Sequence, residues 1–184
     1  MDTITTMGII SDEVYNNDYY NGKFDKLKAN NHIYKVLDHT DPNDQGFNAL
    51  LLQDTSTGKY VIAFRGTQEK IDIADDVIIG LQNHSYEFEA AKVWVDTILK
   101  TKDKGYDVTK ANLTLTGHSL GGILTQAVGA VYQYQIPGYA FNPYEVEILR
   151  PLQGDEIYHN LVINNDANLN KQDRMINRIY KKAA

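Results

Sequence analysis

The sequence predicts an α/β fold: a mostly parallel sheet with helices on both faces. Two observations carry this. Through the second half of the chain, short β-prone apolar runs alternate with segments of helical periodicity, which calls for crossover connections and so for parallel neighbours. In the first half, two apolar runs are joined by a string of turn formers, Asp54-Thr-Ser-Thr-Gly58, that reads as a hairpin. The 184 residues suit one domain, 1–184, with four prolines and no low-complexity linker or internal repeat to divide it. A chain of this length buries roughly 70% of the surface it exposes when unfolded, so its core needs neither metal nor disulfide.

Taken in order, Ile4, Met7, Ile10 and Val14 recur at helical spacing, and the first ~20 residues are expected as an amphipathic helix ending near Asn21-Gly22. His32 to Leu37 is expected as a strand, and Phe47 to Gln53 with Lys59 to Arg65 as the hairpin. Ser85 can cap a helix whose positive end carries Glu87 and Glu89 and whose negative end carries Lys100, Lys102 and Lys104. Phe88, Ala91, Val95, Ile98 and Leu99 form its buried stripe, and Gly105 stops it. Then follow a strand at Leu113 to Thr116, a helix at Leu120 to Tyr134, strands at Tyr139 to Phe141 and His159 to Asn164, and a closing helix at Lys171 to Lys182.

Composition narrows the function. A net charge of −6 leaves no basic stripe for a phosphate backbone, so a nucleic-acid partner is not expected. Cysteine is absent, which excludes a disulfide framework, a thiolate metal site and a cysteine nucleophile. The longest aliphatic or aromatic run is Tyr60 to Phe64, far short of the ~20 residues of a membrane span. The opening Met-Asp-Thr-Ile-Thr-Thr lacks a basic start and a long apolar stretch, so no secretory signal is read; export by another route stays open. The aspartates Asp72, Asp75 and Asp76 read as a solvated face, and Asp41 to Gly46 as a turn whose twelfth position, Leu52, cannot ligate calcium. No metal or cofactor is expected.

The most informative stretch is Thr114-Leu-Thr-Gly-His-Ser-Leu-Gly-Gly122, which contains Gly-x-Ser-x-Gly. Chance would place that pattern in about 0.02 chains of this composition. An apolar strand enters it and a helix-forming segment leaves it, the context a nucleophile elbow requires. At such an apex Ser119 takes a strained backbone conformation, side chains at Gly117 or Gly121 collide with neighbouring elements, and Oγ stands at the positive end of a helix. The Leu120 N–H, directly after the serine, is then one donor for an oxyanion, and the Gly66-Thr67 turn at the end of a neighbouring strand offers another.

Three stretches resemble the α/β-hydrolases, and within them the class 3 lipases and related phospholipases A1. Gly46 to Asp54 and Tyr60 to Thr67 look like that family's paired strands ending in an Arg-Gly-Ser/Thr turn; Gly117 to Gly122 is similar to its elbow; Asn160 to Asp166 resembles the strand that delivers its acid. The resemblance implies a carboxylic ester hydrolase acting on lipid acyl esters, with Ser119 as nucleophile, Thr67 and Leu120 as oxyanion donors, Asp166 as the acid, and no cofactor. Its implied partner is a lipid or ester substrate, presented by a membrane or micelle surface. Residues 68 to 83 mix Ile71, Ile73, Val77, Ile78, Ile79 and Leu81 with acids and can be read as a lid or as a buried helix.

The triad order in this fold is Ser, acid, His, yet no histidine follows Asp166. His118 adjoins the serine and points off the elbow. His159 opens the strand that Asp166 ends, about 20 Å from the catalytic edge at ~3.3 Å per residue. His84 precedes a helix, and His32 and His39 flank the early strand as loop residues. The expectation is that the base, with the last elements of the sheet, lies beyond Ala184. A non-catalytic binding or assembly domain of the same fold is the alternative.

Overall fold

The structure, a computed structural model, describes residues 3–41, 47–66, 85–102, 104–141 and 158–161, with the backbone alone for 85, 86 and 158–161. Three helices are described, α1 (Thr3–Glu13), α2 (Ser85–Lys100) and α3 (Leu120–Val131). Seven strands form one sheet in sequential order: β1 (Lys26–Ala29), β2 (His32–His39), β3 (Asn48–Asp54), β4 (Tyr60–Arg65), β5 (Leu113–His118), β6 (Gly138–Phe141) and β7 (Tyr158–Leu161). The first four pair antiparallel and the last four parallel, so β2, β4, β5, β6 and β7 run the same way.

Strand alternation divides the core in two. On one face Leu50, Leu52, Val61 and Ala63 pack with Met7 and Ile10 of α1; on the other Leu51, Ile62, Phe64, Leu113 and Leu115 pack with Ala91, Val95 and Ile98 of α2 and Leu124 and Val128 of α3. Buried from both sides, β4 is apolar from Tyr60 through Phe64, as a central strand covered on both faces must be. The Thr116 hydroxyl, fully buried, donates to the Tyr139 carbonyl at 3.0 Å and stands 3.3 Å from the Met7 carbonyl, joining β5 to β6 and α1.

Several boundaries differ from expectation. The first helix stops at Glu13, because Asn16 accepts a bond from the Asp18 N–H and starts a separate 3-10 turn at Asn17–Tyr19. It is buried continuously from Thr5 to Ser11 rather than along one stripe. Strand β1 was not expected; its lysines alternate with buried Leu27 and Ala29, an edge-strand pattern, and Asn30, at φ 57, turns the chain into β2. His32 and His39 are the end residues of β2 and not loop residues. Helix α2 ends at Lys100: Lys102 pairs with Asp107 and Lys104 with Asp38 at 2.9 Å, so neither serves the helix end. Helix α3 ends at Val131, and Gln133 and Tyr134 follow in left-handed conformations. Residues 42–46 of the turn, residues 162–184, which include the expected strand end and closing helix, and residues 68–83 lie outside the described residues.

The β3–β4 turn is held by Asp54, which accepts bonds from the Ser56 hydroxyl (2.6 Å) and N–H (2.8 Å) and lies 2.9 Å from His32 Nδ1. Burial acts to raise its carboxyl, but the bonds from Ser56, Thr57 and His32 outweigh that and bring it down to about 2. A lowered folded value means stability that is complete above the ordinary carboxylate range and lost as pH falls toward 2. Urea unfolding should therefore show Asp54→Asn about 2 kcal/mol less stable at pH 7, with the gap closing between pH 4 and pH 2. A gap unchanged at pH 2 would contradict this assignment.

Candidate active site

Ser119 sits between β5 and α3 with φ 57 and ψ −125, a left-handed conformation that costs a non-glycine residue roughly 1–3 kcal/mol. The surrounding backbone enforces it. Its N–H donates to the Phe141 carbonyl at 3.0 Å, and its carbonyl accepts from the N–H groups of Gly122 (2.9 Å) and Ile123 (3.1 Å). Its side chain makes no capping bond, so the half-buried hydroxyl is not consumed by the helix terminus it occupies.

The flanking glycines are needed for space. A Cβ at Gly117 would run into the Gly121 carbonyl and come within 2.9 Å of the Phe64 carbonyl oxygen; one at Gly121 would run into that same Phe64 carbonyl. Backbone atoms cannot swing away as a side chain can. The Thr125 hydroxyl donates to the Gly121 carbonyl at 2.9 Å, a bond within the first turns of α3. A Cβ on Gly66 would stand 2.8 Å from the His118 carbonyl oxygen and 3.3 Å from the Leu120 nitrogen, so the end of β4 lies directly beside the elbow. As first residue of α3, Leu120 has an N–H with no intrahelical acceptor, at the positive end of the helix.

Of the residues singled out in the sequence, Ser119 and Leu120 are thus placed together, beside Gly66. Thr67 follows Gly66 covalently but lies outside the described residues, as do Asp166, His84, Asp72, Asp75 and Asp76. Among the described residues no group of three or more His, Asp or Glu side chains is placed to hold a metal, and no helix is long and apolar enough to cross a membrane.

The described histidines have distinct surroundings. His118 has its Nδ1 3.5 Å from the Tyr15 hydroxyl, with the two rings edge to face. His32 lies at the opposite end of the sheet, where β2 meets the Asp54 turn. His39 Nδ1 is 2.9 Å from the Thr40 carbonyl, and its ring meets Tyr20. The position expected for His159 needs correction. It pairs with Tyr139, and Leu161 is level with Phe141 and His118, so His159 stands two residues below the elbow's level rather than seven.

A family model described as a phospholipase-like, Tle-like phospholipase domain matches residues 6–144. The chain belongs to this Tle-like family. The Tle-like domain is similar in fold to the Rhizomucor miehei lipase in its propeptide complex, with 18% identity over 76% of this chain and a TM-score of 0.52. A triacylglycerol lipase from Penicillium expansum shares 16% identity over 77% of the chain, with a TM-score of 0.49. The Tle-like domain spans 51% and 59% of these two structures. No curated protein matches it. The fold is thus that of the α/β-hydrolases, with a mixed, mostly parallel sheet and helices on both faces.

What sequence reasoning missed in the Tle-like domain is the segment after α1. Tyr19 and Tyr20 are buried and Tyr15 is half-buried, so all three pack into the fold. Arg65 donates to Asn17 Oδ1 at 2.8 Å, and its guanidinium lies 5.8 Å from the ring centres of both Tyr15 and Tyr20. Nothing in the sequence pattern connects residues 15–20 to residue 65.

The glycine and serine positions make opposite predictions. Gly121→Ala should cost 3 kcal/mol or more, or prevent folding, since the new methyl meets backbone. Ser119→Gly should be at least as stable as the parent, because glycine adopts φ 57 without strain. Thermal melts of the two variants check both; a Ser119→Gly protein that melts well below the parent would contradict the strained reading.

Proposed function

We propose that the chain is a lipid acyl-ester hydrolase, of the phospholipase A1 or triacylglycerol lipase type, with Ser119 as nucleophile. The observation that carries this is the strained serine at a strand-to-helix apex, its hydroxyl not used as a cap, beside an N–H without an intrahelical acceptor. The phospholipase description of the family favours phospholipid over triacylglycerol.

In this reading Oγ gives its proton to a base and bonds to the ester carbonyl carbon. The carbonyl oxygen becomes an oxyanion held by the Leu120 N–H and by Thr67. Collapse expels the alcohol, which takes up the proton, and water then cleaves the acyl-serine by the same route. Asp166 orients the base. No cofactor is required. The base is unassigned: His32 is excluded by its place at the far end of the sheet.

The test is hydrolysis of phospholipid vesicles and of a soluble short-chain ester, with labelling by a fluorophosphonate read by mass spectrometry. Labelling should fall on Ser119 alone, and Ser119→Ala should bring hydrolysis to background. Replacing His39, His84, His118 and His159 one at a time then locates a base within the chain. If none matters and the rate stays near the 10³- to 10⁴-fold acceleration that donors and binding supply by themselves, the base comes from outside these residues. A chain indistinguishable from Ser119→Ala in both assays would favour the non-catalytic binding domain.

A further inference from the structure

Strands β4 and β5 are registered only as far as Phe64 opposite Gly117. Gly66 and His118 lie past that last rung, and each immediately precedes a residue the proposed function uses: Thr67 after Gly66, Ser119 and Leu120 after His118. In the gap stands the Tyr15 hydroxyl. It accepts a hydrogen bond from the Gly66 N–H at 3.1 Å and donates to the His118 carbonyl at 3.3 Å. One oxygen therefore connects the two strand ends where the ladder does not.

The ring that carries this hydroxyl is itself held. The Arg65 guanidinium lies over it, Arg65 is anchored to Asn17, and the His118 ring meets it edge to face. Removing the Cβ at position 66 is part of the same design, since that atom would stand 2.5 Å from the Tyr15 hydroxyl.

We propose that Tyr15 is a positioning residue whose hydroxyl acts as an added rung, setting the separation of Gly66, just past β4, from the Ser119-Leu120 elbow. This rests on the assignment of those two ends as the oxyanion site. Two donors stabilise one oxyanion only when both stand about 2.7–3.1 Å from it, so a small change in their separation acts on the transition state more than on bound substrate.

The experiment is Tyr15→Phe, which keeps the ring and removes the hydroxyl. By amide NMR, the Gly66 N–H should shift upfield and exchange with solvent at least about tenfold faster. The rate of fluorophosphonate labelling, and kcat on a soluble ester, should fall about 10- to 100-fold with KM within about twofold. Tyr132→Phe, which removes a bond of 2.6 Å to Asp96 at the far end of α3, is the control: a comparable loss of stability with unchanged labelling. Should Tyr15→Phe fail to fold, 3,5-difluorotyrosine at position 15 weakens the acceptor without removing it, and the Gly66 amide should move part of the way. An unchanged Gly66 amide would overturn the proposal, as would a shifted amide with undiminished labelling or a control that loses reactivity equally. If the parent chain itself reacts no faster than Ser119→Ala, it is the functional reading that fails, and the Gly66 amide alone decides whether the rung exists.

Discussion

The backbone of β4 at Phe64 and the backbone of α3 at Gly121 approach so closely that no Cβ fits between them. Most of what is distinctive in this fold depends on that contact. It brings the first turn of α3 over the end of β4, which puts the N–H of Leu120, without an intrahelical acceptor, next to Gly66. It also removes the room in which β5 could continue as a strand or α3 begin as an ordinary capped helix. The chain resolves the conflict by reversing at a single residue, Ser119, in a left-handed conformation that three backbone hydrogen bonds hold in place.

The cost of that conformation, a few kcal/mol at most, is small against the burial that surrounds it. Phe64, Leu115, Leu124 and Val128 on one face, and Ala63 and Phe141 on the other, are almost wholly removed from water. Burying a single large aliphatic side chain contributes about 1.5–3 kcal/mol, so two or three of them outweigh the strain. The strained serine is thus stable where it is because its neighbours, not its own side chain, specify the turn. Its hydroxyl does not cap the helix that it precedes. The segment after α1 adds a second layer of support, in which Arg65, Asn17, Tyr20 and Tyr15 connect the start of the chain to the end of β4.

How much of this could be read from the sequence follows the range of the interactions. The central strands and helices α2 and α3 were legible because their signals are local: apolar runs, caps, and a Gly-x-Ser-x-Gly pattern whose flanks change from strand to helix period. The elbow was legible down to the reason for each glycine. Strand β1 was not, because four residues alternating Lys with Leu27 and Ala29 carry almost no signal until an antiparallel neighbour is known. The end of α1 was misplaced because helical spacing through Val14 continues past the point where the Asn16 side chain offers the backbone another partner. The level of His159 depended on β7 register, which the sequence pattern leaves open. Tyr15, separated from Gly66 by 51 residues, is a contact that only the folded chain reveals.

The central claim is that the strained apex aims Ser119 at an ester carbonyl whose oxygen is received at the start of α3. A crystal structure of the chain after reaction with an alkyl fluorophosphonate tests this most directly, since the adduct mimics the tetrahedral intermediate. The account predicts a covalent bond from Ser119 Oγ to phosphorus and a phosphoryl oxygen about 2.7–3.1 Å from the Leu120 nitrogen. An adduct on another residue, or a phosphoryl oxygen turned to solvent away from Leu120, would contradict it.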